Sequence, residues 1–124
     1  MTRILIVLAL VVSSSEVSAQ AVTVTLSEWK IELTRDTVRA GPVTFKVNNA
    51  GTMTHGFYVR GDGVDQGTRD IPVRESASLT VTLKRGTYEV FCPMSDLSHK
   101  AAGMSRKVVV TAADSTVAPK KPPE

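Results

Sequence analysis

From Val22 onward, apolar residues recur at every second position, which is the period of half-buried strands and not of helices. Val22, Val24 and Leu26 alternate with threonine and serine, and Trp29, Ile31 and Leu33 alternate with lysine and glutamate. The two triplets have opposite parity. An extra residue near Ser27-Glu28 is therefore expected to bend or bulge the strand, which would let one strand serve two sheets. Ala40-Gly41-Pro42 is a turn signal, after which Val43, Phe45 and Val47 form another inward set. Asn48-Asn49-Ala50-Gly51 breaks that strand, and His55, Phe57 and Val59 share the next inward face. Arg60 to Asp70 is polar and carries glycines, which predicts a loop. Leu79, Val81 and Leu83 alternate with threonines, Lys84-Arg85-Gly86 turns, and Tyr88, Val90 and Cys92 share a face. Val108 to Val110 is predicted to be a buried closing strand, and no amphipathic helix exceeds a turn or two. Short strands between turn signals predict an all-β, antiparallel sandwich or barrel.

Length and composition narrow this picture. The chain has 124 residues with 42% hydrophobic content, enough for one compact domain. Arg3, the apolar run Ile4 to Val12 and the small residues before Gln20 predict a signal peptide over residues 1–19, and hence a periplasmic or secreted protein. The apolar run is too short to span a bilayer stably. The folded domain is expected over 20–112, followed by a disordered tail over 113–124 that contains proline and lysine. A net charge of +3, with no cluster of bases among aromatics, excludes a nucleic-acid binder. The single cysteine, Cys92, excludes an internal disulfide.

Cys92 is then a buried thiol, a reactive group or a metal ligand. Parity places it on the inward face of its strand, as it does His55, and both stand at strand ends. His99 and Met104 lie in the segment Pro93 to Arg106, which can fold back over the same pole. Two histidines, one cysteine and a weak axial methionine make the donor set of a blue-copper electron-transfer site. Thiolate and thioether favour Cu(I) while imidazole tolerates Cu(II). Zinc could use the same donors, although structural zinc usually takes more cysteine or histidine in short-spaced pairs. Each residue alone would be read as core: a buried thiol, a satisfied histidine, a packed methionine. One pattern absorbs the only cysteine and both histidines, and that favours the metal.

The segment Asn48-Asn49-Ala50-Gly51-Thr52-Met53-Thr54-His55 resembles the first-histidine region of plastocyanin- and azurin-like cupredoxins. Gly86-Thr87-Tyr88-Glu89-Val90-Phe91-Cys92-Pro93 is similar to their strand into the copper cysteine, and His99-Lys100-Ala101-Ala102-Gly103-Met104 to their second histidine and methionine. The resemblance covers most of Val22 to Thr111. It implies a Greek-key β-sandwich and one type 1 copper ion, with His55, Cys92 and His99 equatorial and Met104 axial. It further implies electron exchange with redox partner proteins that dock transiently at an apolar patch around His99, with Lys100 beside it. The six residues between Cys92 and His99 exceed the plastocyanin-like spacing. Gly56 stands where many members carry an asparagine that braces the copper loop. Met94 and Met53 are the competing sulfur donors, ranked below Met104 because His-x4-Met matches the family spacing.

The expected function is that of a monomeric electron carrier and not an enzyme, since a copper oxidase or nitrite reductase needs further ligands. The alternatives are a periplasmic copper-binding or copper-delivery protein, and a module that uses the fold only as a scaffold. Arg60-Gly61-Asp62 reads as a chance tripeptide, Asp62, Asp65 and Asp70 as solvated, and Trp29 as a core residue.

Overall fold

Residues 20–113 are described by the structure, a computed structural model. The expected signal peptide and all but the start of the expected tail lie outside the described residues. The strands run β1 (Gln20–Ser27), β2 (Lys30–Leu33), β3 (Thr37–Arg39), β4 (Gly41–Asn49), β5 (Tyr58–Gly61), β6 (Val64–Gly67), β7 (Ser76–Leu83), β8 (Gly86–Phe91) and β9 (Ser105–Thr111). A one-turn helix, α1 (Ser98–Ala101), precedes β9. They form a sandwich of two sheets, ordered β2-β1-β4-β7 and β3-β9-β8-β5-β6.

The alternation in the sequence becomes the core. Val22, Val24 and Leu26 of β1, Val43, Phe45 and Val47 of β4, and Val81 and Leu83 of β7 are buried from one sheet. Val59, Tyr88, Val90, Val108 and Val110 meet them from the other. Each such side chain contributes roughly 1.5–3 kcal/mol by leaving water. Phe45 and Phe57 join the sheets, with ring centroids 5.2 Å apart. At the pole where β7 turns into β8, the Tyr88 hydroxyl donates to the Lys84 carbonyl at 2.8 Å and accepts from its N–H at 3.1 Å. This closes one end of the sandwich.

Four expectations are corrected. The parity switch near Ser27-Glu28 is not a bulge in one strand serving two sheets. β1 and β2 are antiparallel neighbours in a single sheet, with Leu26 opposite Ile31 and Ser27 opposite Lys30. A hairpin with a two-residue loop puts residues of opposite parity on the same face, so the switch marks a chain reversal. The sheets are mixed, because β1 runs parallel to β4 and β3 parallel to β9. The polar stretch after Arg60 is not a plain loop; β5 and β6 pair across a turn at Asp62-Gly63, and both turn residues have positive φ. Val109 is exposed between buried Val108 and Val110, so the closing strand keeps the period of two.

Candidate metal centre

The pole opposite the tyrosine closure gathers three loops. β8 ends at Phe91, which pairs with Ser105 at the start of β9. Cys92 extends that ladder by one step, its N–H donating to the Met104 carbonyl at 3.1 Å. His55 forms a bridge with Ile71 through backbone bonds of 3.2 and 2.7 Å, which fixes its backbone between the two sheets. His99 sits on α1, within the segment that leaves Cys92 and returns at Met104. Three successive residues there, Ser95, Asp96 and Leu97, have φ between 50° and 69°. Left-handed geometry costs such residues roughly 1 kcal/mol each. The turn is held by bonds from Leu97 N–H to the Pro93 carbonyl (3.3 Å) and from Met104 N–H to the His99 carbonyl (3.1 Å).

This architecture brings His55, Cys92 and His99 together, all buried. The Nδ1 atoms of the two rings are 3.2 Å apart, and Cys92 Sγ lies 3.9 Å from His55 Nδ1 and 3.7 Å from His99 Nδ1. With metal–nitrogen and metal–sulfur bonds of about 2.0 and 2.3 Å, three donors around one ion stand about 3.5–3.7 Å apart. The observed triangle has that size, so the donor set fits one type 1 copper ion. Met104 is fully buried at the base of the same segment. Met94 is partly buried against the core, and its Sδ lies 3.9 Å from where a β-carbon on Gly56 would stand. Met53 is 43% exposed.

Burial governs the electrostatics of the cluster. Burial pushes the Cys92 thiol up, against hydrogen bonds from the backbone of Gly56 and Met94 that pull it down, and Asp70 adds to the rise. A bound metal would displace that thiol proton. Burial, and then the neighbouring His55, hold His99 below the ordinary imidazole range, while Glu28 pulls the other way. His99 is therefore neutral and available as a donor at neutral pH.

Three contributors to the site, and the place of Trp29, were not legible in the sequence. Asn49, which reads only as a strand breaker, is buried; its Nδ2 donates to the Met53 and Ile71 carbonyls, each at 2.8 Å, and its Oδ1 accepts from Gly51 N–H at 2.9 Å. Asn49 thus braces the segment before His55, while Gly56 has no side chain to brace the loop. Gly56 contributes its own N–H, which points at Cys92 Sγ from 3.4 Å. Glu28, at the β1–β2 tip, accepts through Oε1 from Thr52 N–H (2.8 Å), Met53 N–H (2.9 Å) and His55 Nε2 (3.0 Å). Partial burial raises its carboxyl, but these donors together with its own N–H outweigh burial and hold it below the usual range. Trp29 is not a core residue. It is 42% exposed, because the two-residue loop lifts it off the strand, and its ring stands edge-on to His99 at 4.9 Å. Only the parity switch hints at these last two residues, since it marks where the hairpin tip falls.

His99 itself is only 4% exposed. The imidazole is covered, and the half-exposed Trp29 ring packs against it. Lys100 is not a free charge; its Nζ lies 2.7 Å from Glu89 Oε1. Burial raises Glu89 less than the Lys100 hydrogen bond, the first cause, lowers it, so its carboxyl sits below the usual range. Among the described residues, His55, Cys92 and His99 are the one cluster of this kind. The aspartates after Arg60 do not join it, and Asp65 pairs loosely with Arg60 at 3.6 Å.

Comparison with known proteins agrees with this geometry. The sequence matches the cupredoxin-like domain over residues 2–110. No curated protein matches it. Among solved structures, the fold is similar to that of dithionite-reduced auracyanin from Roseiflexus castenholzii. The two share 17% identity and a TM-score of 0.62, over 76% of this chain and 98% of the auracyanin. It is similar to a reduced Cu(I) form of an amicyanin mutant, at 26% identity and TM-score 0.53, over 77% and 86% of the two chains. It is also similar to a multicopper oxidase, at 16% identity and TM-score 0.55, over 77% of this chain and 39% of the oxidase. A buried imidazole–thiol–imidazole cluster at the pole of a two-sheet sandwich, and a family match spanning most of the sequence, place this chain in the cupredoxin-like family.

Proposed function

We propose that this protein is a one-copper electron carrier in which His55, Cys92 and His99 are the equatorial ligands and Met104 is the axial one. The observation that carries the reading is the buried triangle of two Nδ1 atoms and one Sγ, sized for a single ion. Bound there, copper supplies one-electron chemistry between Cu(I) and Cu(II). The residues do the rest. Cys92 gives a thiolate and the histidines give neutral imidazoles, a mixture acceptable to both oxidation states. The sheet ends hold His55 and Cys92 in place, so little has to move when the charge changes. Trp29 packs against His99 and, with the exposed Leu97, offers the contact through which a partner docks. A small apolar contact suits brief encounters.

The partner is a redox protein, such as a cytochrome, oxidase or reductase. A net charge of +3 favours an acidic partner face. Lys30 and Lys100 beside the site are paired with Glu32 and Glu89, so steering comes from the whole-chain charge more than from these two. The protein works as a monomer in the periplasm or outside the cell. It is not an enzyme, because both histidines and the cysteine are consumed by one site, leaving no donors of these types for a second copper.

Met53 favours a second reading. Its thioether is exposed two residues before His55, where it could take up or hand on Cu(I) in a copper-delivery protein. Repeated oxidation and reduction of the copper-loaded protein beside a Cu(I) chelator separates the two. The carrier cycles reversibly and keeps its metal, whereas a delivery protein loses copper rapidly on reduction.

A further inference from the structure

The hairpin tip between β1 and β2 reaches the metal pole from a part of the chain that contributes no ligand. Glu28 Oε1 faces three donors, the N–H groups of Thr52 and Met53 and the Nε2 of His55, at 2.8–3.0 Å. An ionised carboxylate only accepts hydrogen bonds. His55 must therefore present Nε2 with its proton, which leaves the Nδ1 lone pair bare. That same Nδ1 faces His99 Nδ1 and Cys92 Sγ. The contact is built in, because a β-carbon on Gly51 would lie 2.5 Å from Glu28 Oε1. The tip is seated on the ligand segment as well: a β-carbon on Gly103 would lie 2.6 Å from the Trp29 carbonyl oxygen.

We propose that Glu28 is a positioning residue for the copper site, fixing the tautomer and ring orientation of His55 from the opposite side of the imidazole. The proposal rests on the assignment of His55 as a ligand. A carboxylate behind a metal-binding histidine raises the basicity of the ring and holds its angle, and losing such a partner typically weakens metal binding 10–100-fold. The carboxylate charge also favours Cu(II), so its removal raises the reduction potential. Glu28 additionally ties the hairpin to the loop before His55, which is a purely structural role, and the test has to separate the two.

Nitrogen-15 NMR of the metal-free full chain reads the His55 tautomer without copper. The wild type should show Nε2 protonated and Nδ1 bare. Glu28→Ala should mix the tautomers and, on titration with copper, weaken binding by roughly ten- to a hundred-fold. Glu28→Gln keeps an oxygen acceptor. It should restore the tautomer and most of the affinity while leaving the potential raised, which a merely structural tie would not do. Gly51→Ala leaves Glu28 intact but pushes its carboxylate away, and it should mix the tautomers as Glu28→Ala does. If Glu28→Ala does not fold, the Gln and Gly51→Ala variants decide the matter. The proposal is overturned if the wild-type His55 has Nε2 bare, or if Gly51→Ala or a folded Glu28→Ala keeps the tautomer. It is equally overturned if folded Glu28→Ala keeps wild-type copper affinity. Failure of the wild type to bind copper would instead overturn the electron-carrier reading, and the tautomer result would still stand on the metal-free protein.

Discussion

The two histidines at this pole are held in opposite ways. His55 ends a segment locked by long-range bonds: Asn49 ties it to Ile71, Glu28 ties it to the β1–β2 tip, and the Ile71 bridge fixes its backbone. His99 rides a one-turn helix held largely by bonds within its own segment and by one surface ion pair between Lys100 and Glu89. The first is set by the sandwich and the second is laid over it. The difference divides the work. His55 and Cys92 form a rigid floor, while the His99 side is where a partner can approach and where loop length can vary at little cost to the fold.

The largest expected effect is on the locked side. Asn49→Ala would leave the Met53 carbonyl and the Gly51 N–H without partners and the Ile71 carbonyl with the His55 N–H alone. At about 1–3 kcal/mol for each buried polar group left unpaired, and with incomplete additivity, the loss should be about 3 kcal/mol in chemical denaturation. A loss below 1 kcal/mol would mean that the segment is not locked as described.

On the laid-over side, Trp29 is the only tryptophan and stands against His99. Copper binding should quench its fluorescence strongly. Trp29→Ala should keep the fold and the metal but open His99 to water, lowering the potential and slowing electron transfer to the partner. Fluorescence indifferent to copper would show that the tip does not sit over the site. Met104→Leu is nearly volume-conserving, so it should cost under about 1.5 kcal/mol. It should retain copper and raise the potential, since an axial thioether is a long, weak donor whose loss disfavours Cu(II). If Met94→Leu moves the potential and Met104→Leu does not, Met94 is the axial ligand.

The smallest effect belongs to the ion pair. Glu89 is 38% exposed on its side chain, so solvent screens the pair and Glu89→Gln should cost under about 1 kcal/mol. Because folding lowers the Glu89 carboxyl, that contribution is full above the unfolded-state value near 4.5 and fades as pH falls through the lowered folded-state value. Wild type and variant should therefore converge in stability in acid. A difference that persisted below that window would mean the glutamate acts through packing and not through charge.

The same division explains what the sequence made legible. The period of two is local, so the inward faces of β1, β4, β7 and β8 and the burial of His55 and Cys92 could be read directly. The pairing partner of a strand is not local. The parity switch at Ser27-Glu28 was visible, but bulge and hairpin produce the same signature, and only the Leu26–Ile31 pairing distinguishes them. Parallel pairing of β1 with β4 leaves no mark on either strand. β3 carries a single buried residue, Val38, too little for a periodic signal. Glu28 and His55 stand 27 residues apart, and nothing in either neighbourhood announces their contact. Trp29 follows the parity of Ile31 and Leu33, which predicts a core residue, but it belongs to the turn and not to the strand.

The most direct test of the copper assignment is the visible spectrum of the Cu(II)-loaded full chain beside its Cys92→Ser variant. The assignment predicts one copper per chain and an intense blue or green colour from sulfur-to-copper charge transfer, abolished in Cys92→Ser while the sandwich still folds. A folded wild type that binds Cu(II) and stays colourless would contradict it.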